Sequence, residues 1–204
     1  MKLFLSITLL LFMAQFTCAQ IKLTKIDPKT LPKTVQYKGV IDHAVKYSDK
    51  AGEHLMITTE ANSVKKSEDS DDEKTQDLFA SNYLLTYGQW ILEWQMHDLV
   101  DACQFDMGGG YIPNTFAVTD LNNDGIAEVW LTYTLVCRSD VSPDDMKIIM
   151  HEGSKKFAMR GHTKVKVNAT RYMGGDYKFD DAFKAGPDAF RQYALKLWNK
   201  NVVE

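Results

Sequence analysis

Apolar and polar residues alternate with a period of two through most of the chain, and this pattern constrains the fold more than any other feature of the sequence. Successive side chains of a β-strand point to opposite faces, so a strand that is buried on one side shows this alternation. The clearest runs are residues 35–47, 53–60, 77–87, 90–99 and 126–137. Turn-forming segments such as residues 48–52 separate neighbouring runs. We therefore predict antiparallel strands joined by hairpins.

Residues 187–200 carry the helix pattern of this chain. Pro187 suits a first helical turn, where its missing N–H has no partner, and Asp188 complements the helix dipole. Apolar residues recur at helical spacing and form one stripe: Phe190, Tyr193, Ala194, Leu197 and Trp198. The predicted fold class is mainly β (α+β), an antiparallel β-sheet domain with a C-terminal α-helix packed on it.

The segments between the strand runs indicate one domain over residues 20–204, because no internal repeat and no interdomain linker interrupts them. Residues 62–76 include VKKSEDSDDEKTQ, which holds almost no apolar residue, and we predict a flexible acidic loop there. In the run 90–99, alternation places Trp90, Leu92, Trp94 and Met96 on one face. Such a face is typical of a core, and it is also suited to stacking on sugar rings.

Residues 1–19 have the three parts of a secretory signal peptide. Lys2 supplies the positive charge, residues 3–16 form a short apolar run, and Thr17 and Ala19 stand at −3 and −1 of a cleavage after Ala19. We therefore predict export, with a periplasmic, cell-surface or secreted location. A lipidated Cys18 is the alternative that the same residues leave open.

Charge and hydropathy exclude two classes of partner. The formal net charge is −3, and loss of Lys2, the only charged residue of 1–19, would make it −4. A mildly acidic chain lacks the basic surface that nucleic acids require, so no nucleic-acid partner is expected. No second apolar run reaches the length of a membrane span, so the mature chain is predicted to have no transmembrane segment.

Removal of residues 1–19 would leave Cys103 and Cys137 as the only cysteines. Two cysteines in an oxidising compartment favour one disulfide, and we predict the pair Cys103–Cys137. Two buried free thiols are the alternative.

The segment TDLNNDGIAE, residues 119–128, has the spacing of a calcium loop. Oxygen-bearing side chains stand at loop positions 1, 3 and 5, and Gly125 at position 6 permits a sharp turn. The predicted ligands of Ca²⁺ are the side chains of Asp120, Asn122, Asp124 and Glu128 and the carbonyl of Ile126. A turn that binds no metal remains open, since Asn-Asp-Gly forms turns unaided.

This loop resembles the calcium loops between β-strands of FG-GAP and related extracellular repeats. It departs from an EF-hand because position 12 is Leu131 and the flanking segments predict strands rather than helices. The resemblance covers about a dozen residues and implies ligand roles only for the five residues named above.

A second group of polar residues lies near the predicted disulfide and the next hairpin: Asp106, Arg138, Asp140, Arg160 and His162. Such a group could bind an anionic sugar or phosphate, or form a structural salt-bridge network. Carboxylates that an enzyme acting on glycans would need are plentiful, among them Asp98, Asp101, Asp106 and Glu152, but no pair stands out. No catalytic residue is therefore assigned.

The segments VTDLNNDGIAEVWLTY, CRSDVSP, MKIIMHEG and KKFAMRG, within residues 80–161, resemble a family of bacterial secreted proteins linked by name to surface polysaccharide (lipopolysaccharide) biosynthesis. The resemblance implies an envelope location. The expected function is an exported, calcium-stabilised, non-catalytic envelope module that binds a glycan or a partner protein in polysaccharide assembly. A carbohydrate-active enzyme with paired carboxylates is the alternative.

Overall fold

The structure is a computed structural model that describes residues 21–68 and 71–203, so the predicted signal peptide and Cys18 lie outside the described residues. Its first five strands form one antiparallel sheet, sheet A, in which each strand pairs with the next in sequence. They are β1 Thr24–Lys25, β2 Val40–Ser48, β3 Glu53–Lys65, β4 Glu73–Thr86 and β5 Gln89–Cys103. The antiparallel arrangement that the alternation predicted is confirmed.

A second antiparallel sheet, sheet B, follows in sequence. Its strands are β6 Asp106–Tyr111, β7 Ala117–Thr119, β8 Glu128–Arg138, β9 Asp145–Glu152, β10 Lys155–His162 and β13 Tyr177–Phe179. The order across the sheet is β13-β10-β9-β8-β6, and β7 also pairs with β8. Strands β11 Lys164–Lys166 and β12 Tyr172–Gly174 form a small separate hairpin.

The two sheets pack face to face, as alternating strands with one apolar face must. The inner face of sheet A contributes Tyr47, Met56 and Trp94, and that of sheet B contributes Leu131 and Ile149, all of them buried. The main core is therefore the layer between the sheets.

Two helices close the outer face of sheet B, α1 Asp181–Ala185 and α2 Asp188–Asn201. Helix α2 matches the predicted span of 187–200 within a residue, and Trp198 and Phe190 are buried against the sheet. This confirms the mainly β fold with a C-terminal helix packed on it. Within residues 21–68 and 71–203, no helix has the length and apolar character needed to cross a membrane.

The predicted loop 62–76 is shorter than its composition suggested. Strand β3 continues to Lys65 and β4 begins at Glu73, and Ser63 pairs with Thr75 inside the predicted loop. The prediction was wrong at both ends, because ladder hydrogen bonds form between backbones and do not require apolar side chains.

The predicted single aromatic face of residues 90–99 is also wrong. A bulge at Glu93 breaks the register, since Tyr83 pairs with Leu92 and Asn82 with Trp94. One extra residue reverses the alternation, so Trp94 and Met96 face the inter-sheet core while Trp90 packs against the outer face of sheet A. Trp94 and Met96 have the core role that was one of the two interpretations.

Candidate functional site

The loop between β7 and β8 is closed by its own polar side chains. Asp120 Oδ2 accepts a hydrogen bond from the Gly125 N–H at 3.2 Å, and Asn122 Oδ1 accepts from the Asp124 N–H at 3.2 Å. Asp124 Oδ1 accepts from the Ile126 N–H at 2.8 Å. Gly125 has a φ of +88°, the conformation that makes glycine the favoured residue there.

Glu128 lies beneath this loop and is completely buried. Its two carboxylate oxygens accept from the Leu121 N–H at 3.0 and 2.9 Å, and one also accepts from the Thr119 hydroxyl at 2.6 Å. Burial raises the pKa of Glu128, and the nearby carboxylates of Asp120 and Glu152 act in the same direction. Glu128 thus stabilises the loop through hydrogen bonds to its backbone.

Glu152 is a member of this group that the sequence analysis did not assign to the loop. It is the register partner of Glu128 across β8 and β9, and it accepts from Asn122 Nδ2 at 2.7 Å. Burial and the neighbouring Asp124 carboxylate raise the pKa of Glu152. Strand register brings Glu152 to the loop. It lies 24 positions after Glu128 in the sequence, so a search for local motifs does not connect the two.

The calcium prediction has to be weighed against these contacts. In the described part of the chain, no group of three or more His, Cys, Asp or Glu side chains is placed to hold a metal ion. The predicted side-chain ligands accept hydrogen bonds within the loop, as in a turn that binds no metal. Four carboxylates surround the loop, however: Asp120, Asp124, Glu128 and Glu152. Calcium binding therefore stays a prediction.

Asp49, in the turn between β2 and β3, attaches the loop to sheet A. Its side chain accepts from the Ala127 N–H at 2.9 Å and contacts His54 Nε2 at 2.9 Å, while the Lys50 N–H donates to the Gly125 carbonyl at 2.8 Å. Burial would raise the pKa of Asp49, but the hydrogen bonds from Ala127 and His54 outweigh it and hold that pKa below its usual value. The loop is therefore part of the contact between the two sheets.

Cys103 and Cys137 form the predicted disulfide, with their α-carbons 5.7 Å apart. Cys103 is the last residue of β5 in sheet A and Cys137 lies near the end of β8 in sheet B. The bond joins the two sheets and encloses the loop in the intervening sequence.

The residues predicted as an anion or glycan site do not act as one free cationic cluster. Arg138, whose register partner is Asp106, forms an ion pair with Asp144 at 2.7 Å. His162 Nδ1 lies 3.1 Å from Asp176, and its Nε2 lies 3.6 Å from Asp145. Asp140 is exposed in the bend after β8. Arg160 is the exception, because its side chain forms no hydrogen bond or ion pair with the described residues.

An open trough lies on the outer face of sheet A, where no site was predicted. Two cross-strand rows form its floor, Thr59–Phe79–His97 and Ile57–Ser81–Gln95. A segment preceding β2 forms one wall. The lining residues are Gln36, Tyr37, Lys38, Ile57, Thr59, Phe79, Ser81, Gln95 and His97.

The trough has a volume of about 460 Å³, within the range of small-molecule sites. His97 is held in place, because its ring stacks on Phe79 at 4.4 Å and its Nε2 lies 2.6 Å from Asp77. Tyr37 is 46% exposed in the wall. The Thr59 hydroxyl at the floor is buried and has no hydrogen-bond partner among the described residues. The site is thus polar, aromatic and pre-organised.

Two of the carboxylates that an enzyme acting on glycans could use are engaged elsewhere. Asp98 accepts from the Tyr133 hydroxyl at 2.8 Å and from Lys147 at 2.7 Å, and Asp101 accepts from the Thr75 hydroxyl at 3.0 Å. None of the residues that line the trough is an aspartate or a glutamate. The trough therefore lacks the two facing acids that glycoside hydrolysis requires.

Comparison of the chain with protein-family models, with curated proteins and with solved structures yields no match.

Proposed function

We propose that this chain is an exported, non-catalytic module of the cell envelope that binds a glycan in the trough of sheet A. The observation that carries the proposal is the chemistry of the trough. An exposed aromatic ring, two glutamine amides and a serine hydroxyl face one concave surface, in Tyr37, Gln36, Gln95 and Ser81.

Each of these groups has a counterpart on a sugar. The C–H face of a sugar ring is apolar and stacks on an aromatic ring, as Tyr37 offers. Sugar hydroxyls both donate and accept hydrogen bonds, and so do the amide and hydroxyl groups of Gln95 and Ser81. The lining contains one lysine, Lys38, and no carboxylate. This composition supports a neutral or weakly acidic glycan, and a role in surface-polysaccharide biosynthesis or assembly is the wider proposal.

A glycan array followed by calorimetry tests the binding. Tyr37→Ala should abolish or greatly weaken binding, since it removes the stacking surface. Tyr172→Ala is the matched control, because Tyr172 is also 46% exposed but lies on β12, outside the trough. Equal loss in both variants, or no bound glycan at all, would contradict the proposal. Release of shortened sugars from a bound glycan would favour the enzyme alternative.

Calcium is proposed as the stabilising ion of the β7–β8 loop. Four neighbouring carboxylates repel one another, and a divalent cation would relieve that repulsion. Saturating Ca²⁺ at 100 times its dissociation constant would add about 2.7 kcal/mol to the free energy of unfolding. We expect EDTA to lower the melting temperature and Asp124→Ala to remove that response. A melting temperature that ignores EDTA, with no heat of calcium binding, would identify the loop as a turn only.

A further inference from the structure

Strand β5 is the open edge of sheet A, since the described residues place no strand beyond it. It pairs with β4 without irregularity from Trp94 to Val100, between two register shifts. Along such an edge, alternate backbone N–H and C=O groups point outward and can pair with another extended chain. The first described residue, Ile21, does not lie at this edge. It lines a different pocket together with Phe116 and Tyr193.

A basic surface lies beside this edge on sheet B. Arg160 of β10 is the register partner of both Lys147 of β9 and Lys178 of β13, and Lys156 precedes Arg160 by four residues on the same face. We call these four residues the basic face. It faces sheet A, because Ala158, between Lys156 and Arg160, belongs to the inter-sheet core.

Most of the charge on the basic face is available to a ligand. Lys156, Arg160 and Lys178 are exposed, and none of them forms an ion pair with the described residues. Lys147 is paired with Asp98 at 2.7 Å. Four acidic residues lie near the basic face. Asp98 and Asp180 are charged neighbours of Lys156, and Asp145 and Asp176 lie next to His162.

Contacts between the sheets fix the position of the edge over this face. Trp94 of β5 stacks on His151 of β9 with ring centroids 3.9 Å apart, and Asp98 of β5 reaches Lys147 of β9. Strand β5 therefore lies across β8 and β9, because Asp98 also accepts from Tyr133 of β8 and Cys103 is bonded to Cys137 of β8. Strands within a sheet are about 4.8 Å apart and packed sheets about 10 Å apart, so one more strand beside β5 would lie over β9 and β10. Every second side chain of that strand would face sheet B, on the side where Lys156 and Arg160 are exposed.

We propose that the β5 edge accepts an extended acidic segment of a partner protein as a sixth strand of sheet A. Backbone pairing would supply affinity, and carboxylates on alternate residues would meet the basic face and set specificity. A glycan lacks the peptide backbone whose N–H and C=O groups repeat at the spacing of the edge. A second copy does not fit, because antiparallel pairing of two β5 strands about a two-fold axis would bring the projecting β10 and β13 strands of both copies into the same space. This surface is independent of the glycan trough.

A fluorescein-labelled heptapeptide, Thr-Glu-Val-Glu-Val-Glu-Thr, is the probe, and fluorescence anisotropy on the exported chain is the measurement. We expect saturable binding that weakens as salt is raised. The same peptide with Gln in place of Glu should bind at least tenfold more weakly. Arg160→Glu should weaken binding of the acidic peptide by roughly tenfold, because it replaces an attraction with a repulsion. Lys200→Glu, the same charge change on exposed α2, should have no effect beyond twofold.

Two N-methylated peptides test backbone pairing. Methylation of the Glu nitrogens and methylation of the Thr and Val nitrogens block opposite edges of the peptide strand. We expect one of the two to retain binding and the other to lose it. Any other pattern overturns the proposal, as do an equal effect of Arg160→Glu and Lys200→Glu and an absence of binding by the parent peptide. Tyr37→Ala should leave peptide binding unchanged, so failure here is distinguishable from failure of the glycan proposal.

Discussion

The outer faces of the two sheets are both formed by antiparallel strands, but helices cover the outer face of sheet B while part of the outer face of sheet A is open. Sheet B presents large apolar side chains outward, among them Trp130 and Phe157, and α1 and α2 cover them with Phe183 and Phe190. Sheet A presents Thr59, Ser81, Gln95 and His97 outward, and this area stays open as the trough. The chemistry of the outward positions decides which face becomes core and which stays available to a ligand.

The outer face of sheet A is itself divided into a covered part and an open part. Leu55, Ile57 and Tyr83 on the same outer face are buried with Val35 from the segment before β2. The Tyr83 hydroxyl also donates to the Gln36 carbonyl at 3.0 Å, which fixes the wall of the trough. An apolar patch thus positions the chain segment that completes a polar site.

The largest expected effect concerns the covered face. Trp198→Ala should lower the free energy of unfolding by about 3–5 kcal/mol, because it leaves a cavity between α2 and sheet B. Chemical denaturation measures this. Lys196→Ala, on the exposed side of the same helix, should change the value by less than about 0.5 kcal/mol. A small effect of both variants would mean that the helices add little to the core.

Removal of the disulfide should have the next largest effect. The cysteines are separated by 34 positions, and the chain-entropy model gives about 3–4 kcal/mol for a loop of that length. We expect the double variant Cys103→Ala, Cys137→Ala to lose this amount in denaturant titrations. The control is the wild-type chain in reducing agent, which should match the double variant. Retained stability in both would show that the bond does not constrain the unfolded chain.

His151 gives the layer between the sheets a pH dependence. Burial lowers the pKa of His151 to about 4, and Lys156 acts in the same direction. In the unfolded chain the imidazole takes up a proton near pH 6.5, so the unfolded state binds more protons between these values. Stability should therefore fall by up to about 3 kcal/mol as the pH drops from 6.5 to 4.

His151→Phe should flatten that part of the stability profile while keeping the stack on Trp94. Both ring nitrogens of His151 are buried with no hydrogen-bond partner among the described residues, so the variant should lose nothing at neutral pH. Denaturation at pH 4.5 and pH 7 measures both points. An unchanged pH profile in the variant would assign the dependence to other groups.

The smallest effect is expected at the floor of the trough. Thr59→Val keeps the shape of the side chain and removes a buried hydroxyl without a described partner, so it should stabilise the fold by about 1 kcal/mol. Thermal melting of Thr59→Val beside Thr58→Val is the comparison, since the Thr58 hydroxyl donates to Asp42 at 3.2 Å and its removal should destabilise. Destabilisation by both would mean that a ligand or water uses Thr59.

Sequence patterning predicted the parts of the fold that depend on local periodicity. Strand β8 follows the predicted run 126–137 and helix α2 the predicted span 187–200, each within about two residues. Strand β6 was missed, because its run Gly108-Gly109-Gly110 shows no alternation. A Cβ at Gly109 would lie 2.4 Å from the Thr134 carbonyl oxygen, so close approach of β6 to β8 explains the glycine there.

The candidate sites were harder to predict, because they depend on register rather than on motifs. Asp120 and Glu128 are close in sequence and were found, whereas Glu152 reaches the same loop through strand pairing and Asp49 through the contact between the two sheets. The trough combines residues from three strands and one segment, and each contributes only one or two polar positions. The bulge at Glu93 also changes which side chains of β5 face outward, and no local sequence pattern predicts this bulge.

The connectivity of sheet A has a consequence for the order of folding. Its five strands are consecutive hairpins that end at Cys103, so all of its contacts are short in sequence and close quickly. During synthesis from the N-terminus, this sheet is complete before any strand of sheet B has been made. Its apolar inner face, including Met56 and Trp94, then remains exposed to solvent until residues 128–162 have been synthesised. The nascent half-molecule is therefore the stage at which this chain is most open to aggregation and to chaperones.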